Sequence, residues 1–84
     1  MGRSVKRYAA QTEFGHRVRS QRLELGFSQM ELAERIGLHF TFVSSVERGE
    51  RNVSLHSLLK LADGLELNPA VLVDGLHWSK PRNT

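Results

Sequence analysis

Residues 28–49 constrain the fold of this chain more than any other segment, because they encode two short helices and the turn between them. Ser28 and Glu31 have the S-x-x-E spacing of a capping box, in which each side chain binds the backbone amide of the other residue. A helix is therefore predicted to begin at Gln29. Gly37 follows the last apolar residue of that helix, where a helix end often needs a positive φ.

The apolar residues of this segment repeat with helical spacing. Three of them share one face of the first helix: Leu32, Ala33 and Ile36. Ala33 is small enough for a second helix to cross close to its backbone. The second helix is predicted to begin at His39 or Thr41, with Val43 and Val46 facing inward. Two short helices joined by a glycine turn at this spacing are typical of a helix-turn-helix, which lays its second helix in the major groove of DNA.

Composition limits the classes to which the chain can belong. At 84 residues it is predicted to form one domain with a small core, which a dimer would stabilise further. Cysteine is absent, which excludes disulfides, a thiol nucleophile and a cysteine-based zinc site. No apolar run approaches the roughly 20 residues of a membrane span, and the N-terminus lacks the apolar stretch of a signal peptide. We therefore predict a cytoplasmic protein without a membrane partner.

Positive charge is concentrated at the two ends of the chain. The net charge is +3, to which residues 1–8 contribute +3 and the tail from Lys80 contributes +2. The middle of the chain carries seven basic and nine acidic side chains. DNA affinity would therefore need a local basic patch together with the ends. The alternative is that the short basic ends only improve solubility.

The pattern along the whole chain predicts an all-α, compact five-helix domain with no strand. The first three helices are predicted at about residues 12–25, 29–36 and 39–47. Thr12 caps the first helix, although a start at Tyr8 is an alternative. Ser54 caps the fourth helix, and Asn68 caps the fifth with Pro69 at its first position. The chain is thus divided into a basic arm (1–11), a helix-turn-helix domain (12–76) and a basic tail (77–84).

Apolar residues of the last two helices predict both a core face and a dimer. The inner face of the fourth helix is predicted from helical spacing to comprise Leu55, Leu58, Leu59, Ala62 and Leu65. A second set exceeds what one small core needs and predicts a homodimer interface: Leu65, Leu67, Pro69, Val71 and Leu72. Pairing through this set would place two DNA-reading helices roughly 34 Å apart, one turn of DNA. The alternative is that all of these residues lie in the core of a monomer.

A larger set of residues resembles a known family. The matching pieces are Phe14-Gly15, Val18-Arg19, Arg22, Gly26-Phe27-Ser28-Gln29, Glu31-Leu32-Ala33, Gly37, Val46-Glu47-Arg48-Gly49, Arg51-Asn52, Ser54-Leu55 and Leu58. With them, residues 14–73 resemble the phage-repressor and Cro type of helix-turn-helix domain, the XRE family, which implies a lambda-repressor-like fold. Members are sequence-specific DNA-binding proteins, mostly homodimers on palindromic sites. The length and the ERGERNVSL stretch are most similar to controller proteins of restriction–modification systems.

The resemblance implies which residues of the third helix read bases: Phe40, Thr41, Ser44 and Ser45. Phe40 departs from the family pattern, where glutamine is frequent and can pair with adenine. Phenylalanine could press on a thymine methyl group or fold back onto the domain. Ser45 also departs, because a long residue is frequent there. Short hydroxyl side chains suit close approach or water-mediated contacts.

The resemblance also implies contacts with the DNA backbone and one internal ion pair. The residues predicted to bind phosphates are Gln29, His39, Arg48, Arg51, Asn52 and Ser54. His39 could instead be a simple helix cap. Arg22 and Glu47 are predicted to form a buried ion pair that positions the third helix rather than reading bases. Phe42 matches a position where an aromatic residue either packs in the core or touches the DNA backbone.

Catalytic and metal-binding motifs are missing from the sequence. The four histidines contain no i, i+3 or i, i+4 pair, and no phosphate-binding glycine loop, H-E-x-x-H or G-x-S-x-G motif occurs. We predict no enzyme activity, no metal and no cofactor. The predicted function is a transcriptional regulator that binds double-stranded DNA as a homodimer on a palindromic operator of a restriction–modification operon. The alternatives are a phage-type repressor or an antitoxin that binds a toxin protein. A regulator near a promoter could also contact RNA polymerase.

Overall fold

The structure, a computed structural model, describes residues 6–83. This part of the chain contains five helices. The helices are α1 (Ala9–Glu24), α2 (Gln29–Ile36), α3 (Phe40–Glu47), α4 (Leu55–Gly64) and α5 (Pro69–Val73). Two short strands, β1 (Lys6–Arg7) and β2 (Arg82–Asn83), pair antiparallel with Lys6 opposite Asn83. The all-α class is confirmed. The strand pair was not predicted, because two residues are too few to show an alternating apolar pattern.

The boundaries of α2 and α3 follow from their caps. The Glu31 amide donates to the Ser28 hydroxyl at 3.0 Å and the Ser28 amide donates to the Glu31 carboxylate at 2.7 Å, so the predicted capping box is formed. Gly37 ends α2 with a φ of 68°. The amide of Thr41 donates to Nδ1 of His39 at 3.2 Å, which makes His39 the N-cap of α3. The prediction for both helices agrees with the structure to within one residue.

The start of α1 corrects the predicted cap. The helix begins at Ala9 rather than after Thr12, and Tyr8 occupies the N-cap position without a side-chain hydrogen bond. The Thr12 amide donates to the Tyr8 carbonyl at 3.0 Å, so Thr12 is already inside the first turn. Alanine has the highest helix propensity, and two alanines here extend the helix past a plausible cap. The first turn of α1 therefore lies within residues predicted as the arm.

The helices enclose one core of eleven buried apolar residues: Phe14, Val18, Leu32, Ala33, Ile36, Val43, Val46, Leu61, Ala62, Leu65 and Leu72. The predicted inner face of α4 is partly wrong, because Leu55 is 72% and Leu59 46% exposed whereas Leu61 is fully buried. Two apolar stripes with helical spacing overlap along α4. Packing against α2 selects the stripe that contains Leu61 and leaves Leu55 and Leu59 facing solvent.

A glycine permits α1 and α3 to approach each other closely. Gly15 of α1 lies against the end of α3, where a β-carbon would sit 2.3 Å from the carbonyl oxygen of Val46. A hydrogen atom is the largest side chain that fits there. This contact sets the distance between α1 and the outward-facing α3, and so it positions the surface described next.

No helix in residues 6–83 is long and apolar enough to cross a membrane.

Candidate nucleic-acid interface

One face of α3 is open to solvent and carries the four residues predicted to read bases. Phe40 and Thr41 are exposed, and Ser44 and Ser45 are half-buried. The opposite face is held in the core by its buried side chains, Val43, Val46 and Glu47. The helix therefore presents a short row of hydroxyl groups with an aromatic ring at its N-terminal end. Such a protruding helix has the dimensions to enter the major groove of B-DNA.

The N-terminal end of α3 is ordered by local contacts. The Phe40 side chain is 41% exposed, and its ring centroid lies 5.5 Å from that of His39. The hydroxyl of Thr41 is 2.9 Å from Nδ1 of His39. The structure thus places the Phe40 ring at the surface beside His39, and not folded back into the core. His39 serves as the helix cap, which was the alternative to a phosphate contact, and its exposed ring leaves that contact sterically open.

Arg22 and Glu47 form the internal ion pair that the family resemblance implies. Nε of Arg22 donates to Oε2 of Glu47 at 2.6 Å, and Nη2 donates to Oε1 at 3.0 Å. Nη1 donates to the carbonyl of Phe27 at 2.7 Å, which ties the pair to the turn before α2. The hydrogen bond to Glu47 raises the pKa of Arg22, against the opposing effect of burial. A fully paired charge cluster between α1 and α3 fixes the orientation of the exposed helix.

Two further residues join this cluster. Nε2 of Gln29 donates to Oε1 of Glu47 at 3.0 Å, so the predicted phosphate ligand is also an internal contact of α2 with α3. Nη1 of Arg19 lies 4.0 Å from the same carboxylate oxygen. The sequence reasoning missed both contacts, since neither spacing identifies a partner. Gln29 is the first residue of α2, and its hydrogen bond to Glu47 holds its side chain beside the exposed helix.

The loop after α3 brings two cationic side chains together around one carboxylate, that of Glu50. Nε of Arg48 donates to Glu50 at 3.1 Å, and Nη1 of Arg48 donates to the Ser44 hydroxyl. Nη1 of Arg7 donates to the carbonyl of Arg48 at 3.2 Å and lies 3.8 Å from Glu50. Glu50 therefore offsets part of the charge of both arginines. This contact anchors the N-terminal arm next to the loop, which the sequence did not predict.

Arg51 lies further along the same loop, and it has different partners. Its Nε donates to the hydroxyl of Ser45 at 3.1 Å, and its guanidinium carbon lies 5.2 Å from the centre of the Phe42 ring. In residues 6–83 no carboxylate lies within 4.0 Å of this guanidinium. Phe42 is half-buried against the core, which agrees with the core-packing alternative. Arg51 therefore presents its full charge at the edge of the α3 surface.

The remaining predicted phosphate ligands lie at the start of α4. Asn52 and Ser54 are exposed. The hydroxyl of Ser54 accepts a hydrogen bond from the amide of Ser57 at 3.1 Å, so its side chain is the N-cap of α4. The first turn of α4 nevertheless leaves backbone amides free for an anion. These residues follow the arginine loop directly in the chain.

The residues predicted to pair two subunits divide into two groups. Leu65 and Leu72 are fully buried in the core of one subunit, so they have no surface to offer a partner, and that part of the prediction is corrected. They belong to the core cluster that residues of all five helices share. Val71 is 51% exposed. Leu67 and Pro69 are half-buried.

Comparison with known proteins defines the class. The helix-turn-helix family model matches residues 18–72, and the chain belongs to this family of transcription regulators, which is not a class of enzymes. The phage-repressor and Cro type predicted from the sequence is confirmed. Within residues 6–83, no group of three potential metal-ligating side chains is assembled.

Particular relatives narrow the class to controller proteins of restriction–modification systems. The chain is 44% identical over 62 residues to control protein C.BamHI of Bacillus amyloliquefaciens, covering 73% of this chain and 76% of that protein. Its structure matches that of the controller protein C.AhdI from Aeromonas hydrophila with a TM-score of 0.75 and 48% identity, covering 77% and 98% of the two chains. C.Esp1396I, solved as a tetramer with its natural 35-base-pair operator, matches with a TM-score of 0.71 and 31% identity over 76% of this chain and 84% of that one. The predicted similarity to controller proteins is confirmed.

Proposed function

We propose that this protein is a sequence-specific DNA-binding transcriptional regulator that controls a restriction–modification operon. The observation that carries the proposal is the exposed face of α3, bordered by the charged Arg51, in a chain similar to controller proteins. The exposed residues of α3 supply base contacts in the major groove. Arg48, Arg51, Asn52 and the start of α4 supply phosphate contacts that set the position of the helix. Double-stranded DNA is the proposed partner, and the cytoplasm is the proposed location.

The mechanism needs neither catalysis nor a cofactor. Regulation follows from occupancy of an operator near a promoter, where the protein blocks RNA polymerase or contacts it. The phosphate contacts act on every sequence and provide most of the affinity, whereas base contacts separate the operator from other DNA. The two sets of residues are therefore expected to respond differently to substitution.

A selection experiment tests the proposal directly. Purified protein is incubated with a pool of random duplexes at low ionic strength, bound duplexes are sequenced, and the mass of the complex counts the subunits. We expect a palindromic sequence whose half-sites are about one DNA turn apart. A protein that retains no duplex, or that retains all sequences equally, would contradict the proposal.

The contrast between Arg51 and Thr41 gives the first prediction. Arg51→Ala is expected to weaken binding to the selected and a random duplex by the same factor, about tenfold, and to reduce the slope of log K against log salt by about 1. Thr41→Ala is expected to reduce the preference for the selected duplex instead, whereas Thr41→Ser keeps it. Salt titrations with both duplexes measure these effects. Lys60→Ala makes the same change in net charge but lies on α4, outside the loop after α3. It serves as the control and is expected to leave the slope of log K against log salt nearly unchanged.

A homodimer through α5 forms the second part of the proposal. Val71 and Val73 remain 51% and 40% exposed on a short helix, and two copies of this surface would shield both. Val71→Glu is expected to raise the dimer dissociation constant at least tenfold, since it places a charge in an apolar contact. Sedimentation equilibrium without DNA measures the change. Met30→Glu on α2, with 54% exposure, is the matched control and should leave the dimer intact.

An antitoxin is the alternative that one observation favours. Trp78 is 77% exposed in the tail, and such a side chain commonly marks a protein contact. Capture of a stoichiometric protein partner that Trp78→Ala releases would support this function. A neighbouring methyltransferase gene and endonuclease gene would support the controller, and phage genes would support a phage-type repressor.

A further inference from the structure

The hydroxyl of Ser45 is occupied on both sides by groups of the protein itself. It donates its single proton to the carbonyl of Phe42 at 2.9 Å and accepts the Nε–H of Arg51 at 3.1 Å. A hydroxyl has one proton and two lone pairs, so Ser45 has no donor left for a base edge. The residue is also half-buried, unlike Thr41 one turn earlier. Its position on the exposed face of α3 is therefore not sufficient evidence of base reading.

We propose that Ser45 is a positioning residue that acts through Arg51. Together with the ring of Phe42, it holds the guanidinium at the edge of the α3 surface, in place to contact a DNA phosphate. This inference rests on the proposed DNA-binding function and replaces the base-reading role predicted for Ser45 from the sequence.

The geometry leaves the useful part of Arg51 free. Ser45 engages only Nε, so the two terminal nitrogens of the guanidinium remain available for a bidentate contact with phosphate oxygens. An arginine that is already ordered loses less side-chain freedom on binding than one that samples many rotamers. Ser45 and Phe42 thus prepare the contact before DNA arrives.

The choice of partners preserves the charge of Arg51. A hydroxyl and an aromatic ring hold a cation without neutralising it. Arg48, in contrast, is held by Glu50, whose carboxylate competes with a phosphate for the same donors. Of these two arginines on the loop after α3, only Arg51 is held in place by groups that leave its positive charge fully available to a phosphate. We therefore expect the hydroxyl of Ser45 to strengthen binding to every DNA sequence.

A double-mutant cycle separates a positioning role from base reading. Four proteins are compared: the wild type, Ser45→Ala, Arg51→Ala and the double variant. Each is titrated with the selected duplex and with a random duplex of equal length. We expect Ser45→Ala to weaken binding to both duplexes by the same factor, about three- to tenfold, which is the contribution of one hydrogen bond. In the Arg51→Ala background the same substitution is expected to have no further effect.

Two further variants guard the interpretation. Ser45→Thr keeps the hydroxyl and is expected to retain most of the binding of the wild type. Ser44→Ala removes a neighbouring hydroxyl that contacts Arg48 rather than Arg51, so its effect should multiply with that of Arg51→Ala. Thermal unfolding of each variant shows whether a loss of binding reflects a loss of folding. If Ser45→Ala is unfolded, the sequence preference of Ser45→Thr in the selection decides between the roles, because the added methyl group changes that preference only if residue 45 faces a base edge.

Specific outcomes would overturn the inference. Multiplicative losses for Ser45→Ala and Arg51→Ala, or a changed sequence preference for Ser45→Ala in the selection, would show that Ser45 reads bases itself. Either result leaves the proposed function standing, because the wild type still selects a sequence. Failure of the wild type to bind any duplex would instead overturn both.

Discussion

Glu47→Ala is expected to lower the free energy of unfolding by about 3–5 kcal/mol, the largest effect of any single substitution considered for this protein. The change leaves the guanidinium of Arg22 in the core, where that residue is 5% exposed, without its two hydrogen bonds to the carboxylate. It also removes the partner of Gln29. Native proteins have total stabilities of about 5–15 kcal/mol, so this loss is a large fraction of the total.

Urea denaturation followed by circular dichroism measures this loss. Glu34→Ala, which removes an exposed carboxylate of α2, is the matched control and is expected to change stability by less than about 0.5 kcal/mol. The double variant Arg22→Met/Glu47→Leu replaces the pair with apolar side chains and should recover most of the stability. It should bind DNA less well, because the apolar pair no longer holds Gln29. A loss below about 1 kcal/mol for Glu47→Ala would show that the pair is solvated rather than buried.

Gly15→Ala is expected to destabilise the protein by about 1–3 kcal/mol, although alanine normally stabilises a helix by about 1 kcal/mol relative to glycine. The added β-carbon would lie 2.3 Å from the Val46 carbonyl oxygen and 3.0 Å from that of Glu47. Both obstacles are backbone atoms, which cannot rotate away as a side chain can. The end of α3 must therefore move outward, and affinity for the selected duplex is expected to fall as well.

The sign of the effect is what the experiment checks. Ser20→Ala and Ser20→Gly, at an exposed position of the same helix, measure the intrinsic difference between the two residues without the contact to α3. There alanine is expected to be the more stable variant, whereas at position 15 glycine should be. If Gly15→Ala unfolds at the same or a higher urea concentration than the wild type, α1 and α3 do not approach as closely as described.

Local signals predicted the helix-turn-helix accurately. The capping box at Ser28 and Glu31 and the glycine at position 37 act over three or four residues, so their effect on the backbone hardly depends on the rest of the fold. The ends of α2 and α3 could be predicted for that reason. The exposed face of α3 followed from the same helical periodicity, which placed its apolar residues inward.

Predictions that depended on long-range packing were less successful. Leu55 and Leu59 fit an apolar stripe as well as Leu61 does, and packing against α2 decided which residues are buried. Leu65 and Leu72 were predicted at a dimer surface because the core that they complete could not be measured from the sequence. The pairing of Arg22 with Glu47 came from the family resemblance, since a separation of 25 residues indicates no contact by itself.

By itself, the sequence determined where the helices of the DNA-binding motif begin and end and which of their residues are chemically suited to bases or phosphates. Capping and helical periodicity are short-range, so each is complete within one or two turns. The tertiary structure alone decided which hydroxyls and cations remain available to DNA. Ser45, Arg51 and Glu50 acquire their partners from the path of the loop after α3, and that path depends on the packing of all the helices.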